Sequence, residues 1–348
     1  MNIVVLAGGL SMERDISLAS GCQISNALIE AGHRVFLLDA YLGYEIKGTE
    51  IDRIFSDQKI QTCEIPIKPP TLEMIKTSRS GANDGYFGPN VLKICRYADV
   101  VFIALHGADG ENGKIQATFD LLGISYTGSD YQGALFALNK DISKKLMRSN
   151  NILTADWKLL KKSDYQQNYI PDNFPVVIKP TYEGSSIGVS IVHNAQELTR
   201  AIETAFSYGD SVIVEKFIAG REFSVGILNQ LALPPIEIIP KTGFFDYKNK
   251  YQANCTEEIC PAELSLEQEA ELQTIALNVH SSLCLGVYAR IDFIQDFNGR
   301  FYCLEANTLP GMTPESLLPK ESYAAGYTFS ELCDEIVQHA VKNNVRLW

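Results

Sequence analysis

The stretch Tyr288–Asn307, YARIDFIQDFNGRFYCLEAN, decides how the chain is read. Two runs rich in β-branched and aromatic residues flank Asn298-Gly299, a pair that tolerates positive φ and favours a tight hairpin turn. With Asn298 and Gly299 as the turn residues, Phe297 pairs with Arg300. Counting back along both strands then sets Asp292 opposite Glu305 and Arg290 opposite Asn307. Side chains alternate across a strand, so these four share one face. Opposed residues have Cβ atoms about 5 Å apart. Two facing carboxylates repel unless a cation or a proton intervenes. Together with the amide oxygen of Asn307 they form an all-oxygen set suited to Mg²⁺. The competing reading is a polar face on which Arg290 neutralises one of the carboxylates. The pairing is sensitive to register, since a slip of one residue undoes it.

Upstream of the hairpin, short strands at about 176–178, 211–215, 223–228 and 236–239 surround a helix near 195–206. Lys179 ends the first of them and faces the loop Gly184-Ser185-Ser186. Such a loop lets backbone N–H groups approach phosphate oxygens while the lysine adds a point charge. An ordinary surface hairpin loop is the plainer alternative. Leu135, Leu138, Ile142 and Leu146 recur at helical spacing, which predicts one helix over about 132–149 carrying Lys140. Residues 244–256 are aromatic-rich, contain Lys250 and Tyr251, and lack periodicity, which suits a lid over a ligand.

The first third alternates apolar runs at 3–6, 35–38 and 100–105 with helical stretches, the pattern of a parallel sheet covered on both faces. Residues 42–96 read as a loop-rich elaboration. His106-Gly107 follows the third run directly, and the carboxyl ends of strands in open α/β sheets face ligands. Glu13, two residues after Ser11, stands where a carboxylate complements a helix dipole. Helices are expected at about 13–31, 266–283 and 329–343.

The whole chain is consistent with two or three domains in 348 residues. Its 30 lysines and arginines against 42 aspartates and glutamates leave a net charge of −12, which disfavours nucleic acid and anionic membranes as partners. No apolar run approaches the ~20 residues that span a bilayer, and MNIVVLAGG does not read as a signal peptide. Eight scattered cysteines without a C-x-x-C pattern are expected to be reduced thiols of a cytoplasmic protein.

Taken in order, AGGLSMERDISLASG (7–21), HGADGENGKIQ (106–116), YTGSD (126–130), FPVVIKPTYEGSSIG (174–188), VIVEKFIAGREFSVGIL (212–228), Lys250-Tyr251, ARIDF (289–293) and LEANTLPGMTPESL (304–317) resemble the D-alanine–D-alanine ligases of the ATP-grasp superfamily. The resemblance runs from about residue 3 to residue 335. It implies an α/β fold: an N-terminal parallel-sheet domain (1–134) that binds substrate, a central α+β ATP-grasp domain (135–214) and a C-terminal α+β catalytic domain (215–348). It implies ATP-dependent joining of two D-alanines through a D-alanyl phosphate, in the cytoplasm, for peptidoglycan precursors. ATP and two Mg²⁺ ions, with Mn²⁺ as a substitute, are the implied cofactors, and a homodimer the implied assembly.

Residue by residue, the resemblance assigns Asp292, Glu305 and Asn307 to the metals. It assigns Lys140, Lys179 and Lys250 to phosphates, Glu215 to the adenine amino group and Glu222 to the ribose. Phe293 and Leu304 fall to the adenine slot, and Ser185, Ser186, Lys216 and Ile218 to the nucleotide more broadly. Arg290 and the N–H of Gly311 become an oxyanion site. Glu13 and His106 hold the first substrate, and Ser316 the carboxylate of the second. Glu13, Ser185 and Tyr251 form a triad closing the lid. Three departures stand out: Asn112 where Asp is frequent, Tyr182 where Arg is frequent, and Leu138-Asn139 where Met-Asp is frequent. Tyr251 favours a D-alanine second substrate. D-serine, D-lactate and a non-ligating ATP-binding regulator are the alternatives.

Overall fold

A computed structural model describes residues 1–46, 50–61, 70–79, 85–165, 169–184, 186–241 and 256–344. Three sheets organise it. The first has strands β1 (Asn2–Ala7), β2 (Arg34–Asp39) and β3 (Val100–Ile103), parallel and in the order β2-β1-β3. β1 and β3 are almost wholly apolar and buried, because helices cover both faces. The helices of this region are α1 (Arg14–Glu30), α2 (Leu72–Ser78), α3 (Val91–Tyr97), α4 (Ala108–Glu111) and α5 (Lys114–Leu122), of which α1, α3 and α5 send apolar side chains into its core. The stretch expected to be loop-rich thus carries two short helices, each burying one or a few apolar side chains such as Ile75, Val91 and Ile94.

The single helix expected over 132–149 is two: α6 (Tyr131–Leu138) and α7 (Lys140–Ser149). Asn139 leaves the helical region at φ −79°, ψ 98°, and its side-chain oxygen accepts from the N–H groups of Asp141 and Ile142. The heptad-like spacing of leucines masked this break, because it continues in phase across a residue that caps rather than propagates. Lys140 is consequently the first residue of a helix, and its N–H donates to the carbonyl of Thr181 at 3.1 Å.

The second sheet is antiparallel, in the order β4 (Trp157–Lys161), β7 (Ser211–Lys216), β5 (Val176–Pro180), β6 (Ser190–Val192), backed by α8 (Ala195–Phe206). The third has the order β11 (Thr256–Ile259), β10 (Ile236–Pro240), β8 (Gly220–Leu228), β12 (Tyr288–Asp296), β13 (Phe301–Asn307), with β9 (Leu231–Ala232) paired to β8. Helix α9 (Leu266–Ser282) opens with a capping box on Ser265 and Gln268 and lays Leu272, Ala276 and Val279 against this sheet. α10 (Leu317–Ala324) and α11 (Phe329–Asn344) are the last elements among the described residues. The cores cross the expected domain boundaries. Leu332, Ile336 and Val337 of α11 pack into the core of the first sheet, while Ala137 of α6 and Met147 of α7 pack under the third.

The β12–β13 hairpin reaches the expected facing pairs by an unexpected route. Arg290 lies opposite Asn307 and Asp292 opposite Glu305, but Phe293 pairs with Cys303 and Gln295 with Phe301. The turn holds three residues rather than two: Asp296 N–H donates to Arg300 O and Gly299 N–H to Asp296 O, both at 2.9 Å, with Gly299 alone at positive φ. This displaces the register by one residue. A bulge at Leu304, where β13 advances two residues for one of β12, restores it. The bulge also turns Leu304 and Glu305 toward the same side, and both line one cavity.

Candidate functional site

Between the second and third sheets lies a cavity of about 130 Å³. The residues around it include Lys140, Lys179, Ser186, Lys216, Ile218, Glu222 and Leu304, together with Glu215, Asp292 and Glu305. Strand alternation explains much of this. Val177, Lys179 and Ile191 come from β5 and β6 on one side, and Asp292 and Ile294 from β12 on the other. Phe293, expected in the adenine slot, is fully buried on the opposite face of β12 and packs in the core under α9; Ile294 stands in the cavity instead. One-residue alternation on a strand dictates that outcome.

A second cavity, of about 280 Å³, opens between the first and third sheets and is lined by Glu13, His106, Arg290, Asn307, Gly311 and Ser316, with Glu111, Glu258 and Glu315. The two meet at a narrow junction bordered by Lys140, Glu111, Glu183, Gly184, Glu305 and Asn307. Ser185, Lys250 and Tyr251 lie outside the described residues, as does almost all of the 244–256 stretch.

Charge pairing dominates both cavities. Arg290 grips Asp292 through two hydrogen bonds, Nε to Oδ1 at 2.9 Å and Nη2 to Oδ2 at 2.8 Å. Burial pushes the guanidinium down, but Asp292 more than compensates and holds it firmly protonated. The Nδ2 of Asn307 donates to Asp292 Oδ2 at 3.1 Å, which leaves the amide oxygen of Asn307 available as an acceptor. Lys140 Nζ sits 3.7 Å from Glu305 Oε2 and donates to the carbonyl of Glu183. Burial lowers the pKa of Lys140, and neighbouring Lys179 adds to the effect while Glu305 opposes it.

Glu215 is buried and held from both sides, by Lys179 on one oxygen and by Lys144 at 2.9 Å on the other. Burial alone would raise its pKa, yet the two ammonium groups pull it down to about 2. Lys179 in turn is raised, because Glu215 outweighs its burial. His106 is buried beside Ser20, 3.3 Å from its hydroxyl, and burial lowers its pKa against the pull of Glu13.

Asp292, Glu305 and the oxygen of Asn307 supply two carboxylates and one neutral oxygen, a donor set that fits a hard divalent cation. Among the described residues no group of three or more His, Cys, Asp or Glu is placed to hold a metal. A cation bound here therefore takes the rest of its shell from phosphate oxygens or water. Both readings of the hairpin face have a basis: Arg290 neutralises Asp292, and Glu305 with Asn307 faces the junction.

Several residues with a part in the site carried little sequence signal of their own. Glu111 borders both the larger cavity and the junction; its place in HGADGENG was visible, its orientation was not. Burial, with the charge of Glu13, pushes its carboxyl up to about 8. An unfolded chain releases this proton near pH 4.5 and the folded one near 8, so folded protein binds more protons in between and loses stability as pH rises across that window. Glu111→Gln is expected to flatten this loss in the ligand-free protein. Melting curves from pH 5 to pH 9 check it, and an unchanged slope counts against it. The departures resolve into local contacts. Asn139 Nδ2 donates to Tyr182 Oη at 2.7 Å, so two of them form one pair, and Asn112 accepts from the N–H of Lys114 at 3.0 Å.

Comparison with known proteins agrees with this architecture. The family model described as D-ala D-ala ligase N-terminus matches residues 2–129, and that described as D-ala D-ala ligase C-terminus matches residues 146–338. The chain is 43% identical to a D-alanine–D-alanine ligase from Pediococcus pentosaceus over 340 residues, covering 97% of each. It is 42% identical to one from Lacticaseibacillus casei, covering 98% of this chain and 96% of that one. Among solved structures, it is similar to the D-alanine–D-alanine ligase from Bacillus anthracis complexed with ATP, with TM-score 0.76, 29% identity and 99% of each chain covered. The VanG D-Ala:D-Ser ligase from Enterococcus faecalis also matches, with TM-score 0.76, 26% identity and 97% and 99% covered. Matched by both family models and by these relatives over nearly its whole length, the chain belongs to the D-alanine–D-alanine ligase family.

Proposed function

We propose that the protein is an ATP-dependent ligase that joins two D-alanines into D-alanyl-D-alanine for peptidoglycan precursors. The observation that carries it is the meeting of two differently equipped cavities at Lys140, Glu305 and Asn307. One has lysines for phosphate, and the other has Arg290, Gly311 and Ser316.

In the first step a carboxylate oxygen of D-alanine attacks the γ-phosphorus of ATP and ADP leaves, giving an acyl phosphate. In the second, the amine of another D-alanine attacks the acyl carbon, its proton is lost, and phosphate departs as the peptide bond forms. Lys140, Lys179 and Lys250 hold phosphate oxygens, Glu215 accepts from the adenine amino group, and Glu222 takes the ribose. Ile294 and Leu304 flank the base, with Ser186, Lys216 and Ile218 nearby. Glu13 and His106 hold the first D-alanine, and Ser316, at the N-cap of α10, receives the carboxylate of the second. Arg290 and the N–H of Gly311 stabilise the oxygen on which negative charge develops, an effect worth several kcal/mol in such sites. Mg²⁺ at Asp292, Glu305 and Asn307 neutralises phosphate charge when bound. Ser185 and Tyr251 join Glu13 in closing the 244–256 lid.

The working units are a substrate-binding region (1–134), a central ATP-grasp region (135–214) and a catalytic region (215–348), in a cytoplasmic homodimer. Among the described residues no helix is long and apolar enough to cross a membrane. The test is ADP release coupled to product mass spectrometry with D-alanine, D-serine and D-lactate in Mg²⁺. D-Alanyl-D-alanine is expected as the main product. Absence of D-alanine-dependent turnover would overturn the proposal. A predominance of D-alanyl-D-serine would reassign the second substrate, an outcome given weight by the likeness to the VanG D-Ala:D-Ser ligase.

A further inference from the structure

Lys144 lies one turn beyond Lys140 on α7, and its side chain is only 2% exposed. Its ammonium group donates to Thr154 Oγ1 at 2.7 Å and to the carbonyl of Ala155 at 3.1 Å, and forms an ion pair with Glu215 Oε2 at 2.9 Å. The Trp157 ring lies 5.4 Å from it. Two hydrogen bonds and one ion pair, all away from solvent, fix the group in place. Lys179 grips the other oxygen of Glu215 but differs in setting, because it lines the cleft and Lys144 does not. An arriving polyphosphate can therefore recruit Lys179, and only Lys144 is then left to hold the carboxylate.

We propose that Lys144 is a positioning residue: it fixes Glu215 against the cleft when Lys179 turns to phosphate, and so makes the site prefer a purine with an exocyclic amino donor over one with a carbonyl. The inference rests on the reading of this cleft as the ATP site with Glu215 at the base. A carboxylate held in place accepts from an adenine amino group and repels the carbonyl oxygen of hypoxanthine. A site built to hydrogen-bond a substrate N–H rejects the analogue that lacks it, because the buried acceptor is then left unpaired. The low pKa of Glu215 agrees with a carboxylate kept charged by two cations.

The experiment compares kcat and KM for ATP and for inosine triphosphate in the full-length protein, its Lys144→Met variant and its Thr154→Val variant, each with a melting curve. The unchanged protein is expected to prefer ATP by roughly 100-fold or more in kcat/KM. Lys144→Met is expected to raise KM for ATP and lower the ATP preference, each by about tenfold, with KM for D-alanine within about twofold of the original. Thr154→Val removes one anchor of the ammonium group and is expected to move both quantities the same way by less. A lysine that merely supports the fold would leave the base preference where it was. An unchanged preference in the variants overturns the inference, and where Lys144→Met fails to fold, Thr154→Val decides alone. An unchanged protein that turns over ATP and inosine triphosphate equally would instead overturn the placing of Glu215 at the base, and the role of Lys144 with it.

Discussion

Glu305→Gln is expected to lower D-alanine-dependent ADP release by roughly 10³-fold or more while the variant melts within a few degrees of the original protein. The side chain of Glu305 is a quarter exposed, and its ion-pair partner Lys140 keeps a second acceptor in the carbonyl of Glu183. An isosteric amide therefore removes the charge facing the junction without opening a cavity. Asp292→Asn is expected to lose the same activity and also stability. Its carboxylate carries both hydrogen bonds from the buried Arg290, and removing the charge leaves that guanidinium without its ionic partner. Breaking a buried pair from one side costs about 3–5 kcal/mol. A coupled ADP assay beside thermal melts separates the two variants. Near-normal turnover in Glu305→Gln would sink the cation-binding role of the hairpin, and equal stability of the two variants would contradict the weight placed on the Arg290–Asp292 pair.

Arg290→Lys is expected to lower kcat by about 10²–10³-fold and to leave KM for ATP within about threefold. Lysine retains the positive charge beside Asp292, so the variant folds. What it lacks is the planar fork that bonds Asp292 through Nε and one terminal nitrogen while another terminal nitrogen remains for the substrate side. Arg290 lines the larger cavity with Gly311 and Ser316 rather than the smaller one with Glu215, which is why the effect is placed on turnover. Steady-state kinetics with ATP and D-alanine varied separately check it. A fall in kcat/KM that lies wholly in KM for ATP would make Arg290 a nucleotide-binding group instead.

The hairpin shows how much of the site was legible. The facing of Asp292 with Glu305 followed from alternation and a turn signal, and it is observed. The route differs from that reading twice, in a turn one residue longer and in a bulge at Leu304, and the two displacements cancel. The bulge is what brings Leu304 and Glu305 to one cavity, and alternation is what takes Phe293 away from it. The apolar spacing of residues 135–146 places Lys140 inside a helix. That it begins a helix depends on Asn139, whose cap competes with the leucine pattern running through it.

Local geometries and the inventory of chemistry are written along the chain itself. Strand alternation, helical spacing and the order of the motifs are properties of short stretches of chain, and they bring out about half of the residues that line the two cavities. Which charges meet is settled by packing between elements. Lys144 and Glu215 are 2.9 Å apart across elements distant in sequence, and Arg290 directs two hydrogen bonds to Asp292 at the rim of the larger cavity. The return of α11 to the first core belongs to the same class. Such pairings depend on how sheets close over one another and on what each closure removes from solvent, and no window along the chain carries that information.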